Sequence, residues 1–261
     1  MGLKKTLLNT RFKCIINLFQ HCNLKSSDTF IVSYPKSGST WLRFVLFEII
    51  NDTPSSFEEV NSKIPTVGKH FNKDLRTKHG RFIKTHEPYR NTYKKAIYLV
   101  RDVRDIIISE FNYNKKIRAI NKEFLFDDFF ELFINSSVNR YGNYYNHVNT
   151  WLQASKNKEA NILFIRFEDL KSEPLKEFKK INSFLNIDQT DAFLTKKIEN
   201  NTLNKMKEKE TKTTDKKMLK TDRSIPFVRN GKTGGWEDLY SDEQLKIIDD
   251  KFGDIISHFN Y

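Results

Sequence analysis

Short apolar runs along the chain alternate with longer stretches in which apolar residues recur at helical spacing. The runs cover residues 30–32, 96–100 and 161–167, and a shorter one covers 81–84. Apolar runs of four to eight residues that end at polar or turn-forming residues are typical of buried strands. Strands that alternate with helical patterns predict an α/β domain. The pattern therefore predicts four strands within one large α/β domain.

The helical spacing predicts the remaining regular structure. Two polar stretches interrupt it: residues 51–80 predict an irregular connection, and the lysine- and threonine-rich residues 209–223 predict a mobile segment. The predicted helices cover 41–50, the stretch after Arg101, 124–133, 138–152, 174–185, 190–208 and 241–259.

The first 28 residues form a basic amphipathic segment that we treat separately from the domain at 29–261. Residues 1–25 carry five Lys or Arg and no acid, and their apolar residues share one helical face. Such a helix either packs on the body of the fold or makes a peripheral contact with anionic lipid. Its apolar runs are too short and too interrupted for a membrane span or a signal peptide. These features predict a cytoplasmic protein. A second interpretation adds a peripheral contact between this segment and a membrane.

Composition narrows the function only slightly. The chain has 261 residues, 38% of them hydrophobic, and a formal net charge of +12. That charge suits an anionic ligand, an acidic glycan or a nucleic acid, and does not choose among them. Two cysteines and six scattered histidines provide no recognisable metal-binding pattern, so we expect chemistry without a metal.

The stretch after the first strand carries the clearest chemistry. Tyr34-Pro35 ends the strand, and a small hydroxyl-rich loop with one lysine leads directly into a helix. Strand, tight loop and helix aim unpaired backbone N–H groups at an anion, and the helix dipole favours negative charge there. The loop differs from a Walker A sequence, because it has one glycine and its lysine comes first. We interpret it as a phosphate cradle formed by Lys36, Ser37, Gly38, Ser39 and Thr40.

Five motifs in order, from about Phe30 to Trp236, resemble the sulfotransferases that use 3′-phosphoadenosine 5′-phosphosulfate (PAPS). YPKSGSTW, residues 34–41, resembles the family's 5′-phosphosulfate loop, and Lys84-Thr85-His86 matches its K-T-H element. The stretch 98–109, YLVRDVRDIIIS, resembles its 3′-phosphate element. RFEDLK at 166–171 and RNGKTGGW at 229–236 resemble the strand ending in Y-E-D-L-K and the R-K-G-x-x-G-D-W loop.

The resemblance implies a single α/β domain with a central parallel sheet flanked by helices. It also implies transfer of the sulfuryl group of PAPS to a hydroxyl or amine, with His86 as the general base. Lys36 is implied to stabilise the charge on the bridging oxygen and the departing 5′-phosphate, and Lys84 to assist at the transferring group. The residues implied to bind the nucleotide are Lys36, Ser37, Gly38, Ser39, Thr40, Trp41, Arg101, Ser109, Phe167, Leu203, Arg229, Asn230 and Gly231.

Within that set the resemblance assigns parts of the nucleotide to particular residues. Trp41 is implied to stack on the adenine, and Arg101, Ser109 and Arg229 to hold the 3′-phosphate. Arg101 also has a second interpretation as an ion-pair partner of Asp105 at the start of a helix. His147 has two interpretations, structural or facing the acceptor.

The chain departs from the family pattern at three positions. Phe167 replaces the usual tyrosine near the adenine, Asn230 replaces a lysine, and Gly235 replaces an aspartate. We therefore expect weaker recognition of the 3′-phosphate than in a full-motif relative. The K-x-x-x-T-V-x-x-x-E dimer motif of many animal members is absent, so the oligomeric state stays open.

The expected partner is a small-molecule, lipid or glycan acceptor rather than a nucleic acid. Its pocket is expected from the variable residues 51–80, 113–150 and 209–226. Two alternatives remain from the residues alone. A P-loop-type nucleotide kinase explains the cradle but requires Mg²⁺ ligands, and no convincing Walker B strand is present. A basic nucleic-acid-binding protein explains the charge but not the histidine and arginine at strand ends.

Overall fold

A computed structural model of the chain describes residues 19–71, 75–229, 231 and 233–261. Most of the amphipathic segment 1–28 lies outside the described residues, and so does Asn230. Among the helices that are described, none combines the length and the apolar character needed to cross a bilayer.

A four-stranded sheet forms the centre of the molecule, and all three of its strand pairings are parallel. Its strands lie in the order β2-β1-β3-β4. Parallel strands end at the same edge, so the residues that follow each strand meet there. The strands are β1 (Thr29–Ser33), β2 (Phe82–Thr85), β3 (Lys95–Val100) and β4 (Asn161–Arg166). The four strands and the α/β class predicted from the sequence are confirmed.

Helices connect the strands and cover the sheet. Their bounds are α1 Ser39–Asn51, α2 Phe57–Lys63, α3 Val103–Lys116, α4 Phe126–Asn135, α5 Tyr144–Lys156, α6 Phe167–Ser172, α7 Pro174–Leu185, α8 Asp191–Glu199, α9 Leu203–Lys212, α10 Lys216–Leu219 and α11 Asp242–His258.

Side chains of β1 alternate between two apolar clusters on opposite faces of the sheet. Phe30 and Val32 join the cluster that includes Trp151 of α5. Ile31, between them, joins the cluster that includes Phe44 of α1. All three β1 side chains are fully buried. The sheet therefore has helices packed on both faces, as successive strand residues point to opposite sides.

Two predictions of local structure, one for a connection and one for a helix, were wrong in detail. The stretch 51–80 contains α2, whose cap residue Ser56 accepts a hydrogen bond from the Glu59 N–H. The helix predicted over 190–208 is two helices that break near Asn201, because the Asn201 side chain and carbonyl are engaged elsewhere in the fold. These tertiary contacts override a continuous helical pattern.

The segment predicted as mobile, 209–223, is held to the body at its start. Lys209 belongs to α9 and its Nζ contacts Glu48 Oε1 at 3.1 Å and Ser55 Oγ at 2.8 Å. The Thr214 N–H donates to Glu58 Oε1 at 2.6 Å. Acceptors on α1, on α2 and in the turn between them therefore fix residues that composition alone assigns to a solvated loop.

Candidate active site

One cavity of about 940 Å³ lies where the carboxyl ends of the strands meet. The segments that follow β1, β2, β3 and β4 contribute Lys36, His86, Arg101 and Phe167 to its walls. Further predicted residues also line it, namely Gly38, Ser39, Thr40, Trp41, Lys84, Ser109, Leu203, Arg229 and Gly231. The fold thus brings nearly all of the predicted site residues together.

The loop after β1 leads into the N-terminus of α1 through two residues of positive φ. Lys36 has φ 69° and Gly38, the cap residue of α1, has φ 88°. A Cβ at Gly38 would lie 2.3 Å from Cε2 of Phe167, so the ring allows only glycine beneath it. The first-turn N–H groups of α1 and its dipole then favour an anion at this end of the cavity.

Ser37 is the predicted cradle residue whose side chain does not line the cavity. It is 1% exposed, and its hydroxyl donates to the Tyr34 carbonyl at 2.9 Å. This hydrogen bond closes the turn between β1 and α1, which gives the hydroxyl a structural task.

The Lys36 ammonium rests between two aromatic rings. Its Nζ lies 4.0 Å from the centroid of the Tyr113 ring and 4.8 Å from that of Phe227. Burial lowers the pKa of Lys36, while the charge of the nearby Glu110 opposes that shift. Burial likewise raises the pKa of Glu110, and Lys36 opposes it. Lys36 and Glu110 therefore stabilise each other's charged forms inside the cavity.

His86 is held in one tautomer. Its Nδ1 lies 2.7 Å from the Ser33 carbonyl oxygen, which can only accept, so Nδ1 carries the proton. Nε2 is then the unprotonated nitrogen. Burial first, and then the positive charge of Lys84, lower the pKa of His86 well below its usual value. The ring is therefore neutral near pH 7, with a lone pair on Nε2.

A second histidine fixes the backbone that carries the first. His147 is fully buried on α5, and its Nε2 donates to the His86 carbonyl at 2.9 Å. Its Nδ1 accepts from the Tyr98 hydroxyl at 2.9 Å. Trp151, one turn later, donates its indole N–H to the Glu87 carbonyl at 3.1 Å. Of its two predicted interpretations, the structural one holds for His147.

Lys84 precedes His86 by two residues in β2 and lines the same cavity. Burial lowers its pKa well below the usual value, and the positive charges of Arg43, Lys36 and Lys69 lower it further. The cavity therefore concentrates positive charge where an anionic group would relieve the mutual repulsion.

Arg101 and Ser109 face the cavity from opposite ends of their motif. Eight helical residues would separate them by about 12 Å along the axis, but Arg101 precedes α3 and reaches back. Its guanidinium donates to the Lys36 carbonyl at 3.1 Å and lies 3.4 Å from Oδ2 of Asp105. Arg101 therefore makes the ion pair proposed from the sequence and still borders the cavity.

The glycine-rich loop brings a second arginine to this end. Burial lowers the pKa of Arg229, and the charge of Arg101 lowers it further. Asp105 offsets part of this repulsion, and its Oδ2 also accepts from the Gly234 N–H at 3.2 Å. Asp105 thus ties the loop to α3, a role that the motif alone did not assign.

Trp41, Phe167 and Leu203 form an apolar part of the cavity wall. The Trp41 indole N–H donates to the Asn201 carbonyl at 2.8 Å, and its ring meets Phe178 edge-on. The Phe167 ring has the Arg101 guanidinium 4.7 Å from its centroid. Phe167 packs tightly enough on Gly38 that its ring supports the loop as well as facing the cavity.

Several residues of the cavity wall were not singled out from the sequence, among them Glu110, Tyr113 and Tyr141. Tyr113 and Tyr141 do fall within the range 113–150 that was expected to contribute to the acceptor pocket. Tyr113 lies one helical turn after Ser109 on α3, so helical spacing could have indicated it. Tyr141, whose ring centroid is 5.4 Å from that of His86, comes from a loop with no motif. In the described part of the chain, no group of three or more His, Cys, Asp or Glu side chains is arranged to hold a metal ion.

Comparison with known proteins agrees with this geometry. The family model described as the sulfotransferase domain matches residues 26–259. Sulfotransferase 1E1 of Bos taurus is 29% identical over 236 residues, covering 83% of this chain and 79% of the relative. Flavonol 3-sulfotransferase of Flaveria bidentis is 26% identical over 259 residues, covering 87% of this chain and 82% of the relative.

Solved structures show the same fold. A mouse sulfotransferase, SULT7A1, complexed with PAP, the desulfated form of PAPS, superposes with a TM-score of 0.70 at 27% identity. That match covers 91% of this chain and 88% of the other. Retinol dehydratase in complex with androsterone and PAP superposes with a TM-score of 0.73 at 21% identity. This match covers 91% of this chain and 83% of the other.

Proposed function

Because this chain belongs to the sulfotransferase domain family, we propose that it transfers the sulfuryl group of PAPS to an acceptor hydroxyl or amine, with His86 as general base. The observation that carries the proposal is the tautomer of His86. Its Nδ1–H is engaged by the Ser33 carbonyl, so the lone pair of Nε2 is available in the cavity that Lys36 also lines. A neutral imidazole is the form that accepts a proton.

The reaction is an in-line transfer in which a bond from the acceptor oxygen or nitrogen to sulfur replaces the bond from the bridging oxygen to sulfur. His86 takes the proton of the acceptor group as its oxygen or nitrogen bonds to sulfur. The bond from sulfur to the bridging oxygen breaks, and PAP leaves with the electron pair. Such transfers depend on position and on stabilisation of the charge that develops. Lys36, Lys84 and the N-terminus of α1 supply that stabilisation at the leaving phosphate.

The rest of the cavity suits the nucleotide. Arg101, Ser109 and Arg229 are proposed to hold the 3′-phosphate, since two guanidiniums there repel one another until an anion is bound. Trp41, Phe167 and Leu203 are proposed to contact the adenine. Gly231 and the backbone of the cradle, 36–40, offer N–H groups to phosphate oxygens. No step of this mechanism requires a metal.

Transfer of labelled sulfuryl groups tests the proposal. Purified protein, ³⁵S-labelled PAPS and a mixture of small phenols and alcohols should yield a labelled product with stoichiometric PAP. His86→Ala should lower kcat by roughly 10²–10⁴-fold with little change in PAP affinity, because a general base contributes in that range. Near-normal turnover by His86→Ala with a hydroxyl acceptor would remove His86 from its role.

The proposed acceptor is a small molecule. Relatives are named for flavonols, and solved structures contain androsterone or retinol. A cytoplasmic location, and a lipid contact through the segment 1–28, remain predictions from the sequence. The family match sets aside the kinase and nucleic-acid-binding alternatives as primary functions.

A further inference from the structure

Three residues form a corner of the cavity that we name the ammonium corner: Glu110, Tyr113 and Phe227. Glu110 is 2% exposed, and its carboxylate accepts from the Asn139 amide at 3.2 Å and the Asn114 amide at 3.4 Å. Both of these donors are neutral. A nearby cation therefore stabilises the ionised carboxylate, since an uncompensated buried charge is costly.

The cation in the corner belongs to the chain itself. The Lys36 ammonium lies 4.0 Å from the centroid of the Tyr113 ring and 4.8 Å from that of Phe227. The negative charge of Glu110 favours the protonated form of Lys36. Two aromatic faces beside a carboxylate are the surroundings in which proteins bind ammonium groups. Lys36 thus demonstrates that an alkylammonium fits the corner.

The proposed function gives Lys36 a different partner when the nucleotide is bound. Lys36 then serves the phosphosulfate group, and the corner loses its cation. We infer that the ammonium corner then binds the protonated amine of an acceptor whose hydroxyl is sulfated at His86. This inference rests on the proposed function and specifies its acceptor class as amino alcohols and amino phenols.

The charges around the cavity support this assignment. Among the described residues that line it, Glu110 is the one acid, whereas Lys84, Arg101 and Arg229 are positive. A cationic acceptor is therefore attracted to Glu110 and repelled by the basic side chains in the rest of the cavity. A short series of contacts links the corner to His86. The Asn139 side chain, which donates to Glu110, also accepts from the Tyr141 N–H. The Tyr141 ring in turn packs against His86.

A matched pair of phenols tests the corner. Tyramine and 4-ethylphenol differ by one terminal ammonium, and each is titrated calorimetrically into protein saturated with PAP. Wild type should bind tyramine at least about tenfold more tightly, as expected for a charge-assisted contact. Glu110→Gln should remove that preference. Glu199→Gln, at an exposed position at the end of α8, should retain it.

Tyr113→Leu provides a second variant in case Glu110→Gln does not fold, and it should reduce the preference for tyramine several-fold. If PAP binds and tyramine has no advantage over 4-ethylphenol, or has one that both variants retain, the inference is overturned and the proposed function stands. If PAP itself does not bind, the proposed function fails and the inference fails with it.

Discussion

At the scale of single residues, the backbone carbonyl of Ser33 determines which nitrogen of His86 carries the proton. His86 was predicted as the base from the K-T-H motif at a strand end. The tautomer that makes Nε2 available depends on the Ser33 carbonyl, 53 residues earlier. Glu110 has no motif, and its importance comes from Lys36, Tyr113 and Phe227, which three separate segments bring together. Contacts between distant segments are not encoded in local spacing.

The buried His147 makes the fold sensitive to acid. Burial lowers the pKa of His147 to about 4, whereas an unfolded histidine titrates near 6.5. As pH falls below about 6.5, the unfolded chain gains a proton that the folded chain resists, so stability falls. By linkage, His147 should contribute about 2 kcal/mol to the loss between pH 7 and pH 5.

Urea unfolding of wild type and His147→Gln at both pH values checks this expectation. The variant should start less stable, because Tyr98 and the His86 carbonyl lose their partner, but it should lose about 2 kcal/mol less on acidification. An equal loss in both proteins would show that His147 does not resist protonation. His86, whose pKa is also lowered, contributes to the pH dependence of both proteins and so does not affect the comparison.

At the scale of elements, apolar runs predicted all four strands because buried parallel strands have a strong compositional signal. Helix boundaries were less accurate. The helix predicted over 190–208 breaks where the Asn201 carbonyl accepts from Trp41 and its amide donates to Glu48. That break turns a backbone carbonyl toward the residue proposed to stack on adenine, and no local pattern indicates it.

The junction of β1 and α1 should tolerate only glycine at position 38. Gly38→Ala places a Cβ 2.3 Å from the Phe167 ring in addition to the cost of its positive φ. Gly142 has the same φ of 88° and nothing within 4 Å of its Cβ position, so Gly142→Ala isolates the backbone cost of about 1–2 kcal/mol.

Thermal unfolding and PAP titration compare the two variants. Gly38→Ala should lower Tm by more than Gly142→Ala does and weaken PAP by at least about tenfold, since the cradle must shift. Gly142→Ala should retain PAP affinity. Equal Tm values and equal PAP affinities in the two variants would mean that the packing of Phe167 does not define the loop.

At the scale of the whole molecule, the order of the motifs predicted how four segments converge, because parallel strands end at one edge of the sheet. The acceptor side was predicted only as broad ranges. The cavity walls outside the motifs come from residues 66–69, α3, the loop at 138–141 and residues near 227, and their arrangement follows from packing rather than from a motif.

PAP should stabilise the folded protein without any metal. A ligand that binds only the folded state at 100 times its Kd adds about 2.7 kcal/mol. For a domain of this size that corresponds to a Tm increase of roughly 5–10 °C. The increase should be the same with and without EDTA. A shift that EDTA abolishes would indicate a metal-dependent nucleotide site instead.

Calorimetric titration of PAP and adenosine 5′-monophosphate tests the central claim most directly, because only PAP has a 3′-phosphate. Wild type should bind PAP at least about tenfold more tightly. Arg101→Ala and Arg229→Ala should each weaken PAP by about tenfold and leave the monophosphate nearly unchanged, while Arg223→Ala, at an exposed position, should alter neither. Equal affinity of wild type for the two nucleotides, or equal weakening of both by the arginine variants, would contradict a PAPS site in this cavity.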